Sequence, residues 1–74
     1  MRVEYEPSGL SAVQNLGLDA IAFANAVQAW VNVNKENINP QGGNAQIPYL
    51  GHNYTVTYTV NNDMTVFFIV NVQF

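Results

Sequence analysis

Arg2-Val3-Glu4-Tyr5-Glu6 alternates polar and apolar side chains, with Val3 and Tyr5 on one face. That period of two predicts a short, half-buried strand, which Pro7-Ser8-Gly9 ends. Leu10, Val13 and Leu16 then recur at i, i+3 and i+6, the spacing of one helical face. Ser8 or Ser11 is placed to cap this helix, and Ser11 with Gln14 has capping-box spacing. Gly17 is a natural stop in the left-handed region. From Asp19 to about Asn34 the period is helical again, with an acid where the helix dipole favours one. Asn25, Gln28, Asn32 and Lys35 form one narrow polar stripe. The rest of that helix is apolar, so a sheet or a partner is expected to cover most of its circumference.

Asn34 to Asn44 carries Asn37, Asn39, Pro40, Gly42 and Gly43 and reads as a loop. A strand is expected over Ala45–Tyr49, with Pro48 confining it to an edge or a bulge. Gly51-His52-Asn53 is the next predicted turn. Tyr54 to Val60 alternates throughout, with Tyr54, Val56, Tyr58 and Val60 on one side and three threonines on the other. Asn61-Asn62-Asp63 predicts a hairpin turn. Met64 to Phe74 is apolar on both faces between Val66 and Val70, which predicts a central strand. The resulting order is β-α-α-β-β-β. It predicts one small α+β domain over residues 1–74, with two helices on one face of a small, mainly antiparallel sheet.

Charge narrows the possible functions. Two cations against five acids give a net charge of -3 and leave no electrostatic footprint for DNA or RNA. Only 9% of residues are charged, against about 25% in an average domain. Eleven Asn and five Gln supply much of the polarity instead. A surface so poor in charge resists self-association weakly, so a protein partner, a homo-oligomer or a tendency to aggregate is expected. No apolar run approaches the ~20 residues that cross a bilayer, and the opening residues do not read as a secretory signal. A cytoplasmic protein without membrane contact is the expectation.

The residues that could carry chemistry are few. The absence of Cys excludes a disulfide framework and a thiolate metal site. One His excludes a multi-histidine site within a single chain. His52, in its Gly-His-Asn setting, reads as a turn residue without the base, orienter and nucleophile of a hydrolase. Glu4 and Glu6 share a strand face with Arg2 and read as solvated. Asn61-Asn62-Asp63 lacks the acid spacing of a calcium loop, and Gly42-Gly43 lacks the Lys and Ser/Thr of a phosphate loop. No catalytic residue, cofactor or metal is assigned. The candidate partner-binding residues are Phe23, Val27, Trp30 and Val31 on the long helix, with Tyr54 and Tyr58 on the alternating strand.

Val3-Glu4-Tyr5-Glu6-Pro7-Ser8-Gly9-Leu10, followed by two helices, resembles the opening of the RelE/ParE superfamily of small bacterial toxins. Tyr54-Thr55-Val56-Thr57-Tyr58-Thr59-Val60-Asn61-Asn62-Asp63-Met64-Thr65-Val66 is similar to that family's closing hairpin in spacing and apolar pattern. The resemblance implies the same element order and a protein partner, in the family an antitoxin segment laid across helices and sheet. Thr55 stands where the nuclease members usually carry Arg, and the chain's last five residues hold no cation. Such cations stabilise charge at the scissile phosphate, so the resemblance implies a protein-binding module without nuclease activity. The alternative expectation is a structural or assembly subunit whose Thr/Asn-rich strands pair between copies.

Overall fold

The computed structural model describes residues 1–74 and has the predicted element order. The elements are β1 (Arg2–Tyr5), α1 (Pro7–Asn15), α2 (Ala20–Val33), β2 (Gly43–Tyr49), β3 (His52–Val60) and β4 (Val66–Gln73), with a single 3-10 turn over Lys35–Asn37. The four strands form one sheet in the order β1-β4-β3-β2. β1 pairs with β4 in parallel, and the other two pairings are antiparallel. The apolar β4 is central and the Pro48-bearing β2 lies at an edge, as their patterns predict. No helix is long and apolar enough to cross a membrane.

α1 does not begin as expected. Its N-cap is Glu6, Pro7 occupies the first turn, and no side chain caps it. Proline suits that position because its missing N–H has no partner there in any case. Ser8 instead donates its hydroxyl to the Val70 carbonyl at 2.6 Å. The helix ends as expected, with Gly17 at φ +73. Gly17 N–H reaches the Gln14 carbonyl and Leu18 N–H the Val13 carbonyl, which is a Schellman closure. Asp19 is the N-cap of α2, and its Oδ1 accepts from the amides of Ile21 and Ala22 at 3.0 Å each.

α2 lays Phe23, Val27 and Val31, one face at i, i+4 and i+8, onto the sheet. They join Val13 from α1 and Ile47, Tyr54, Val56, Tyr58, Phe67, Ile69 and Val72 from the strands in one core. Ile21 and Val33 stay largely exposed, so the chain itself covers one face of α2 rather than most of its circumference.

Two turn positions differ from expectation. The β2–β3 loop is Leu50-Gly51, both at positive φ, so β3 starts at His52. Adjacent left-handed residues close a tight two-residue hairpin whose twist suits the strands. The β3–β4 turn extends through Met64 and Thr65, and β4 starts at Val66. Asn61 Oδ1 accepts from the amides of Thr65 and Val66, and Asp63 accepts the Thr65 hydroxyl at 2.6 Å. That hydroxyl bond holds the Asp63 carboxyl below its usual range. The β3–β4 register also slips: Thr57 faces Asn71 while Tyr58 faces Ile69, leaving Val70 as a bulge residue.

Candidate interaction surface

Five of the six candidate partner-binding residues belong to the core. Phe23, Val27 and Val31 are fully buried, and Tyr54 and Tyr58 nearly so. Phe23 meets Tyr49 and Tyr54 edge to face at ring-centroid separations of 5.4 and 5.7 Å. Tyr58 stacks on Phe67 at 4.5 Å, and its hydroxyl accepts the Asn39 amide at 3.0 Å. Trp30 is half-buried beside Phe67, with ring centroids 6.4 Å apart. These side chains hold the helix to the sheet, and the face they share is not free to meet a partner. Periodicity marks an apolar face equally well whether the chain or another molecule covers it.

What remains outside is a sheet with two edges, and on the β1 side two features take up backbone groups. Gln28 on α2 caps the start of β1. Its Oε1 accepts the Val3 amide at 3.1 Å, and its Nε2 donates to the Met1 carbonyl at 2.8 Å. One carboxamide thus supplies the donor and acceptor that a neighbouring strand would offer. Beyond Tyr5, where β1 ends, the first turn of α1 runs beside β4. Glu6 N–H donates to the Ile69 carbonyl at 2.9 Å and the Ser8 hydroxyl to that of Val70. Gly9 permits this approach, since a Cβ there would lie 2.0 Å from the Ile69 carbonyl oxygen.

The outer edge of β2 is different. Residues flanking a two-residue hairpin loop exchange both backbone hydrogen bonds, and every second pair along the ladder repeats this. Tyr49–His52, Ile47–Tyr54, Ala45–Val56 and Gly43–Tyr58 are those pairs. The N–H and C=O groups of the intervening Asn44 and Gln46 therefore point off the sheet. Both residues are exposed, and no backbone bond from a turn or loop reaches either. Pro48, the next residue of that set, offers a carbonyl but no N–H.

The surroundings of this edge are uncharged. No Asp, Glu, Lys or Arg lies between Glu36 and Asp63, so the whole β2–β3 hairpin carries none. On the outer sheet face Gln46 donates to Thr55 at 2.8 Å, and the Thr57 hydroxyl donates to Asn44 at 2.8 Å. Asn71 and Gln73 extend these rows on β4. At the hairpin end His52 lies against the ring of Phe74 at 5.0 Å, with Leu50 exposed at the tip. The carboxylates and cations sit elsewhere. The Arg2–Glu4 ion pair, for example, lies on the opposite edge strand. No three His, Asp or Glu side chains converge, and the surface has no pocket.

Pro48 marked β2 as an edge strand from the sequence, but Asn44 and Gln46 were not among the expected contact residues. The outward direction of their backbone groups follows from the parity of the Leu50-Gly51 turn, and the sequence placed that turn over Gly51-His52-Asn53. No family model, no curated protein and no solved structure matches this chain.

Proposed function

We propose that this chain is a small protein-binding module that takes an extended partner segment as a further strand along β2. The observation that carries the reading is the open backbone edge at Asn44 and Gln46, whereas at the opposite edge Gln28 takes the Val3 amide and the Met1 carbonyl. Strand addition draws its affinity from main-chain hydrogen bonds and its selectivity from alternate side chains. Against such pairing this edge has Pro48 alone, with no charged side chain and no inward-pointing Lys.

The β-α-α-β-β-β order is the one the RelE/ParE resemblance implies, and an antitoxin-like segment is one form such a partner takes under it. The proposed activity is binding without RNA cleavage, because the sheet face presents threonines and amides where phosphate-binding cations are needed. The assembly alternative is supported only as a closed assembly. Open-ended growth of a sheet needs two free edges per copy, and Gln28 takes up the first backbone groups of the one at β1.

Panning a displayed random-peptide library against the folded chain tests the proposal. Selected peptides are expected to shift the backbone amide signals of Asn44 and Gln46 and to lose binding to the Gln46→Pro variant. Peptides that bind only elsewhere, or no selected binder to a chain that stays monomeric, would overturn it.

A further inference from the structure

We infer that the strand added to β2 is the β2 of a second copy of this chain. The two strands run antiparallel about a two-fold axis through Ala45, making one eight-stranded sheet. The inference rests on the edge-strand reading above and names the occupant.

Three observations select a second copy. A two-fold interface brings the residues around its axis close to their own duplicates, so a charge near the axis would lie close to a like charge. The hairpin that forms this edge has no charged residue, although the molecule carries a net charge of -3. Second, the outward groups are self-complementary. With Ala45 on the axis, Asn44 of one copy lies opposite Gln46 of the other and exchanges both backbone bonds with it. The symmetric pair repeats this, giving four hydrogen bonds. Pro48 lies outside those four, and its missing N–H disfavours registers centred further along the strand. Third, the two Ala45 residues meet as a pair without mutual hydrogen bonds, where the backbones approach most closely, about 4.5 Å between Cα atoms. Ala45 brings only a methyl to that point and is buried at the edge of the core.

With Gln28 holding part of the β1 edge, β2 is the longer free edge, and association is expected to stop at two. The outer face of the dimer continues the rows Gln46–Thr55–Gln73 and Asn44–Thr57–Asn71 across the axis, again without charge.

Sedimentation of the intact chain over a range of concentrations, together with amide hydrogen exchange, tests the inference. A monomer–dimer equilibrium with no larger species is expected. The amides of Asn44 and Gln46 are expected to be protected at high concentration and exposed on dilution. Gln46→Pro removes one outward donor and leaves the β2–β3 bonds in place, since Ala45 before it is already extended. It is expected to weaken dimerisation by about tenfold or more while near-ultraviolet circular dichroism stays unchanged. A monomer at every concentration would overturn the inference, and so would a dimer whose Asn44 and Gln46 amides exchange freely. A monomer whose β2 edge still binds library peptides would overturn the second copy alone and leave the binding module standing. The exchange measurement on the unaltered chain decides the matter even where the proline variant fails to fold.

Discussion

Leu50 stands at φ +50 in the β2–β3 turn with 79% of its surface exposed. A left-handed conformation costs a residue with a Cβ roughly 1–2 kcal/mol, less for Asn. Asn-Gly is the preferred pair for such a turn. Leu50→Asn is therefore expected to stabilise the fold by about 1 kcal/mol, read as a higher urea midpoint. Phe23 has the opposite sensitivity: it is fully buried and touches two tyrosine rings edge to face. Phe23→Ala should cost about 3–5 kcal/mol in urea unfolding, and in a domain this small that leaves little folded protein. Tyr5 gives the fold a pH dependence. Burial first, and then the charge of Asp19, push its hydroxyl from 10.0 up to about 12. The hydroxyl also donates to the Ala20 carbonyl at 2.7 Å. Above pH 10 the unfolded chain releases this proton while the folded chain keeps it. Stability is complete below that pH and falls as pH rises towards about 12. Tyr5→Phe is expected to flatten this part of a curve of urea midpoint against pH.

At the scale of elements, the helices do two jobs. Their apolar faces build the core, and their polar groups finish the sheet. Gln28 was legible as part of a polar stripe, and a solvated stripe is the ordinary reading of such a pattern. Its actual partners, Val3 and Met1, are 25 and 27 residues away in sequence. Local spacing carries no information about a contact of that separation. Gln28→Ala strips β1 of both bonds and should cost about 1 kcal/mol. Faster hydrogen exchange at the Val3 amide would identify the edge as the cause. Likewise, Ser8 looked like a helix cap because Ser is a good one. Pro7 and the bulge at Val70 turned it instead towards a β4 carbonyl.

For the whole molecule, the division of charge matters more than its total. Ionised side chains sit on β1, the helix starts and the two longer connections, while the β2–β3 hairpin has none. Pairing through that hairpin is governed by backbone hydrogen bonds and has few charges to screen. Dimerisation is therefore expected to change less than about twofold between 50 mM and 500 mM salt, measured by sedimentation. A steep salt dependence would locate the contact on the charged half instead.

The sequence by itself determined the element order, the edge position of β2 through Pro48 and the central position of β4. These follow from periodicity and from proline's missing N–H, both properties of the local chain. Only the tertiary structure decided that Phe23, Val27, Val31, Tyr54 and Tyr58 spend their apolar surface on one another. An apolar face is the same string of residues whether it meets its own sheet or a partner. Only the tertiary structure decided, too, which edge stays open. That depends on Gln28 reaching β1, on α1 docking beside β4, and on the parity of a two-residue turn that points Asn44 and Gln46 outward.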